Sequence, residues 1–153
     1  MSITDLLSID RVIPELRATH KEAALQELAE LLATGIPSAT AAQLASILRE
    51  RERLNSTAIG DGIAIPHGRL TGIRNVVGGF ARSTPGIDFE SVDRRPTHLF
   101  FVLMAPDDAA AQHLKALARI SRLLKSAAFR EHLLTLSSAN EIYDAIVAED
   151  RKT

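Results

Sequence analysis

Leu25, Leu28, Leu31 and Leu32 recur at the spacing of one helical face, predicting a helix there. Thr19 with Glu22 three residues on has the form of a capping box for its start, and Gly35 and Pro37 stop it. A second helix is expected from Thr40, with Leu44, Ile47 and Leu48 on one face. Three residues beyond Leu48 stands Arg51, a charged residue continuing an apolar stripe. Between residues 55 and 70 the helical period vanishes. Glycines at 60, 62 and 68 and Pro66 exclude a helix, while Ile63 and Ile65 suggest a very short strand that Pro66 ends.

Residues 76–82 predict a strand, Ser83-Thr84-Pro85-Gly86 a turn, and residues 87–89 a further short strand. Residues 99–104 form an unbroken apolar run of strand length, as expected of a central strand buried on both faces. Asp107 and Asp108 offer an N-cap to a helix through about Lys125. Ser126 caps a short helix carrying Phe129, Leu133 and Leu134. Ser138 and Glu141 form a capping box ahead of Ile142 and Ile146. No repeat or linker interrupts this order. It predicts an α/β fold: a single layered domain over residues 1–153, with a mixed, mostly parallel central sheet flanked by helices on both faces.

Composition narrows the function. The 153 residues carry 18 Lys plus Arg against 19 Asp plus Glu, a formal net charge of −1. That balance argues against a nucleic-acid binder with a broad basic surface and against a polybasic membrane anchor. The absence of cysteine excludes disulfide scaffolds, Cys-ligated zinc and thiol nucleophiles. No apolar run approaches the roughly 20 residues a membrane span needs, so no membrane insertion is expected. The start Met1-Ser2-Ile3-Thr4-Asp5 does not read as a signal peptide, and a cytoplasmic location is the expectation.

Five histidines are the side chains whose ordinary pKa lies near neutrality. His20 reads as an exposed residue in a helix's first turn, His98 as a partly packed strand-end residue, and His132 as solvated. None shows metal-ligand spacing, so neither a metal nor a cofactor is expected. His67 stands between Pro66, which fixes the approach of the chain, and Gly68, which removes bulk behind it. Its neutral imidazole could accept a phosphoryl group, although a Pro-His dipeptide alone equally fits an ordinary surface-loop histidine. His113 heads a stripe with Leu117, Ile120 and Leu124, either as a hydrogen-bonded boundary histidine or as a second imidazole beside His67. Arg51 supplies a planar guanidinium suited to two phosphate oxygens. Arg49 and Arg53 read as a solvated, charge-alternating helix end. The glycines fit neither a dinucleotide fingerprint nor a Walker A loop, and no nucleophile elbow is present.

The segment from Arg51-Glu52 through Asn55-Ser56-Thr57-Ala58-Ile59-Gly60-Asp61-Gly62-Ile63-Ala64-Ile65-Pro66-His67-Gly68-Arg69 resembles the signature of the mannitol/fructose-type EIIA domains of the bacterial phosphoenolpyruvate-dependent phosphotransferase system. The nitrogen-regulatory subgroup is the most similar. The resemblance spans almost the whole chain, including His113-Leu114. It implies that His67 takes a phosphoryl group from an HPr-like phosphocarrier protein, that Arg51 helps hold the phosphate, and that His113 is the second site histidine. It further implies that Ser56 and Thr57 lie near the site, where their hydroxyls could bond the imidazole or phosphate, with Arg69 also gathered there. The output would be regulatory, acting on target proteins such as transporters or sensor kinases. A sugar-specific EIIA passing phosphate to a separate EIIB, or a non-catalytic interaction module, are the other readings. Two positions depart from the family pattern. Ala58 replaces a common Gly, which matters if φ is positive there, and Asp61 replaces a common Asn and is expected to face solvent.

Overall fold

Strand β6, Thr97–Pro106, is the element around which the chain is arranged in the computed structural model, which describes residues 1–152. Its side chains alternate between two cores, as the period of a strand requires. Leu99, Phe101, Leu103 and Ala105 enter one core, and Phe100, Val102 and Met104 enter the other. The first core is closed by helices α3 (Ala110–Leu123), α4 (Ala127–Thr135) and α5 (Ala139–Arg151) together with the N-terminal segment carrying Ile3, Leu6 and Leu7. The second is closed by α1 (Lys21–Ala33) and α2 (Ala41–Leu54). Each fully buried Leu or Phe contributes about 1.5–3 kcal/mol of transfer free energy, and this burial on both faces holds the layers together.

Antiparallel to β6 runs β5, Val77–Ile87, which in turn pairs in parallel with β1, Val12–Ile13. On the other side β3, Ile63–Ala64, and β4, His67–Leu70, both pair in parallel with β6. Their registers share one offset (Ile63 opposite Leu99, His67 opposite Leu103), so they are one strand interrupted at Ile65-Pro66. Pro66 has no N–H to give to a ladder, yet its carbonyl still accepts from the Leu103 amide at 2.9 Å. The short β2, Ala58–Gly60, closes this edge antiparallel to β3. The sheet is therefore mixed and mostly parallel with helices on both faces, as the pattern predicted.

Four local expectations are corrected. Helix α1 is capped by His20, not Thr19: the imidazole Nδ1 accepts from the Ala23 amide at 3.3 Å, doing what a hydroxyl would do. Residues 83–86 are not a turn but a bulged part of β5, where the register shifts between Arg82 and Ile87 and Gly86 takes φ 83°. The Thr84 amide and hydroxyl are pinned on the Glu15 carboxylate, which holds the bulge extended. Helix α3 has Ala109 as its cap and ends at Leu123; the Asp107 carboxylate is taken by the Thr71 hydroxyl at 2.6 Å. Finally, residues 67–70 form a strand where the sequence pattern indicated loop.

Candidate functional site

His67 is the first residue of β4, and side chains two apart on a strand share a face, which puts Arg69 beside it. Gly68, between them, lets α2 come down onto the strand: a Cβ built there would lie 2.4 Å from Ile47 Cγ2. One helical turn beyond Ile47 is Arg51, so this close approach carries the guanidinium to the start of β4. From the other side α3 follows β6, and His113 sits in its first turn, 6% exposed. The His67 and His113 rings meet edge-on, with centroids 5.3 Å apart and planes at 74°. Ile47, Arg51, His67, Gly68, Arg69 and His113 together line a hollow of about 300 Å³.

The protonation states follow from the hydrogen bonds. His67 Nδ1 lies 2.7 Å from the Ile65 carbonyl oxygen. A carbonyl only accepts, so Nδ1 carries the proton and Nε2 keeps the lone pair. Burial, then the nearby Arg51 and Arg69 guanidiniums, hold the His67 pKa below its ordinary value against the Ile65 bond and the Glu52 carboxylate. His113 is lowered further, to about 4, by burial first and then by His67, Arg69 and Arg51. Both rings are neutral at pH 7. His113 Nε2 is buried and has no hydrogen-bond partner among the described residues. A buried polar atom left in that state costs about 1–3 kcal/mol, which a ligand atom in the hollow would recover.

Arg51 is steered by its own helix end, with Nη1 donating to the Asn55 carbonyl at 3.1 Å and to Asn55 Oδ1 at 3.2 Å. The hollow thus combines a ring nitrogen with a free lone pair, two guanidiniums and an unpartnered imidazole nitrogen. Such a set suits a tetrahedral oxyanion attached to the ring nitrogen. Among the described residues no three His, Cys, Asp or Glu side chains converge as a metal site needs. No helix among them is long and apolar enough to cross a membrane.

The structure brings His67, Arg51, His113 and Arg69 together and does not bring Ser56 and Thr57 with them. The Ser56 hydroxyl donates to the Phe89 carbonyl at 2.6 Å and accepts from the Ala58 amide at 3.0 Å. The Thr57 hydroxyl donates to the Glu52 carboxylate, as does its amide at 3.0 Å. Both hydroxyls therefore brace the loop. Ala58 is extended strand with 1% exposure, so the alanine meets no strain. Asp61 takes φ 57° at the tip of the β2–β3 turn and is exposed, its amide donating to Asp93 Oδ2 at 3.0 Å. Glu52 lies in the same charge-alternating helix end as Arg49 and Arg53, yet it is 8% exposed. The spacing Leu44, Leu48, Glu52 on one helical face carried that signal.

Comparison with known proteins bears on this geometry. Residues 5–149 match the family described as phosphoenolpyruvate-dependent sugar phosphotransferase system, EIIA 2. The chain is 42% identical over 146 residues to a nitrogen regulatory protein of Bradyrhizobium diazoefficiens, covering 95% of each. It is 37% identical over 152 residues to a fructose-specific EIIABC component of Bacillus subtilis, covering 99% of this chain and 24% of that one. Its fold superposes on the crystal structure of nitrogen regulatory protein IIA-Ntr from Neisseria meningitidis with a TM-score of 0.88. There the identity is 31%, over 94% of this chain and 98% of the other.

Proposed function

The chain belongs to the EIIA type 2 family of the phosphoenolpyruvate-dependent phosphotransferase system, and from that premise we propose that His67 is its phosphoryl acceptor. As a component of that system its chemistry is phosphoryl transfer. The observation that carries the reading is the bond from His67 Nδ1–H to the Ile65 carbonyl, which leaves Nε2 as the nucleophile beside two guanidiniums. The donor is an HPr-like phosphocarrier protein presenting a phosphohistidine. The Nε2 lone pair forms the new N–P bond as the donor's N–P bond breaks, its electron pair returning to the donor ring. Nδ1 keeps its proton on the Ile65 carbonyl throughout. Phosphoryl transfer asks the protein for positioning and charge stabilisation rather than covalent chemistry. Arg51 and Arg69 supply positive charge around the equatorial oxygens, and His113 Nε2, as N–H, donates to one of them.

The output is regulatory, within one domain spanning residues 1–153 in the cytoplasm. The 42% identity to a nitrogen regulatory protein over nearly the whole of both chains supports this. A phosphoryl group adds nearly two negative charges to the rim, enough to change which target proteins bind, transporters and sensor kinases among them. The 37% identity to a fructose-specific component favours a second reading, in which phosphate passes on to a separate EIIB. Incubation with phosphoenolpyruvate, enzyme I and the HPr-like carrier tests the proposal. Acid-labile phosphate should appear on the parent and not on His67→Ala; equal labelling of both would refute it. Adding an EIIB separates the outputs, since a carrier for EIIB loses its label to that protein and a regulator keeps it.

A further inference from the structure

Behind the His67 ring a series of hydrogen bonds, linked through the backbone of Ile65 and Thr57, reaches α1. His67 Nδ1 donates to the Ile65 carbonyl at 2.7 Å. The Ile65 amide donates to the Thr57 carbonyl at 3.1 Å. The Thr57 amide and hydroxyl both donate to Glu52 Oε1, the amide at 3.0 Å. Glu52 Oε2 meets Lys21 Nζ at 2.9 Å. Lys21 in turn lies 5.0 Å over the centre of the Phe89 ring and bonds Glu90 at 3.0 Å. Glu52 is 8% exposed and Thr57 is 4% exposed. A carboxylate kept so far from water in the last turn of α2 is costly unless it is paired and hydrogen-bonded, as Glu52 is by Lys21 and Thr57.

Resting on the reading of His67 as acceptor, we infer that Glu52 is a positioning residue for phosphoryl transfer, fixing the His67 tautomer through Thr57 and Ile65. The geometry explains why an indirect device is needed. Ile65 and Pro66 interrupt the strand, so the carbonyl that receives Nδ1–H belongs to a peptide outside the β6 ladder. On one side the Pro66 ring and the Pro66 carbonyl, held by the Leu103 amide, fix that peptide. On the other the Ile65 amide bond to Thr57 limits the turn at Ile65 that would take the acceptor from Nδ1. After such a turn the ring could take its proton on Nε2, and an Nε2–H has no lone pair to attack phosphorus. Thr57 is where the loop is caught. Its carbonyl holds the Ile65 amide, in the peptide just before the one that carries the Nδ1 acceptor, and its amide and hydroxyl are both held by one carboxylate. Lys21 balances the charge of that carboxylate; burial alone would lower its pKa, but the bonds to Glu52 and Glu90 outweigh burial and raise it. Glu52 does not line the hollow; beside its through-space charge on His67, it acts on the tautomer through the backbone.

Nitrogen-15 NMR of the unphosphorylated protein tests this without any phosphotransfer, so a failure of the acceptor reading and a failure of this one are told apart. The parent should show His67 as a single Nδ1–H tautomer, its ring proton slow to exchange. Glu52→Ala, and Thr57→Val as the second variant should Glu52→Ala not fold, should show mixed tautomers and fast exchange. Their phosphoryl-transfer kcat should fall at least about tenfold with the KM for the carrier unchanged, since loss of a nucleophile's alignment costs on that scale. Glu52→Gln, which keeps an acceptor oxygen, should restore most of the Nδ1–H tautomer. Leu28→Ala, a cavity in the α1 side of the core, should lower Tm and leave the His67 ring signals as in the parent. A folded Glu52→Ala protein with the parental tautomer and exchange, or Thr57→Val with both where Glu52→Ala is unfolded, overturns the inference. So does a Leu28→Ala protein whose His67 signals change as much as those of Glu52→Ala.

Discussion

His67 and His98 invite comparison because the chain treats them alike up to a point. Each stands at or next to the start of a strand, His67 after Pro66 and His98 two residues after Pro96. Each is half-buried, and each donates Nδ1–H to a backbone carbonyl, Ile65 at 2.7 Å and Ser83 at 3.0 Å. Their other ring nitrogens meet different surroundings. His67 shares its hollow with Arg51, Arg69 and the unpartnered His113. The Nε2 end of His98 lies against Gly86, where a Cβ would stand 3.1 Å from it. Its groove mixes Asp61 and Glu131 with Arg95 and Arg130. A carbonyl clamp sets a tautomer, and by itself that makes an ordered histidine. On the proposed reading, room and two guanidiniums at the second nitrogen are what make His67 the phosphoryl site.

Exchanging alanine for each histidine gives the largest contrast. His67→Ala should reduce labelling by the phosphorylated carrier to background, whereas His98→Ala should label at the parental rate; radiolabel transfer reads both. Next comes the stability that His113 ties to pH. Its pKa is about 4 in the folded protein against about 6.5 unfolded, so between those values the unfolded chain binds the extra proton. Stability therefore rises with pH across this window and is lost as pH falls from 6.5 towards 4, by about 3 kcal/mol at 1.36 kcal/mol per pKa unit. His67, lowered in the same direction, adds a slope of the same sign. Urea midpoints measured across the window should climb in the parent and much less in His113→Gln.

Arg51 against Arg95 is a smaller test. Arg51→Gln should slow transfer roughly 10- to 100-fold through lost charge stabilisation, while Arg95→Gln, beside His98, should leave the rate alone. The smallest effect is expected at Gly68. An alanine there pushes Ile47 off the strand and should cost roughly 1–2 kcal/mol in chemical denaturation, with Arg51 displaced from the site. Gly72, which has open space around it, makes a poor counterpart because its φ is 90°; Ser46→Ala on the exposed face of α2 is the neutral control.

The helices were legible in the chain because their signals are local. Thr40, Ser126 and Ser138 each cap the helix that the apolar spacing announces. Arg51 and His113 were legible for the same reason, as polar residues continuing apolar stripes that the structure buries or half-buries. Strand β4 was not, because His67-Gly68-Arg69-Leu70 has no β-branched residue and becomes strand through pairing with β6, a contact far away in sequence. The bulge in β5 hid behind Pro85-Gly86, which spells turn until Glu15, distant in the chain, holds it open. Ser56 and Thr57 were placed near the site by resemblance alone, and their partners, Phe89 and the Glu52 carboxylate, explain why these hydroxyls serve the loop. At Glu52 the i, i+4, i+8 spacing from Leu44 and Leu48 marks the inward face, but the alternation of charge along residues 49–53 masks it as a solvated helix end.

The most direct measurement is a phosphorus-coupled nitrogen-15 NMR spectrum of the protein phosphorylated by its carrier. It should show a single N–P bond at Nε2 of His67, with Nδ1 still protonated and the His113 Nε2 signal shifted by its new phosphate neighbour. Phosphorus on Nδ1 of His67, on His113 or on His98 would contradict the assignment of the acceptor and of the clamp that orients it.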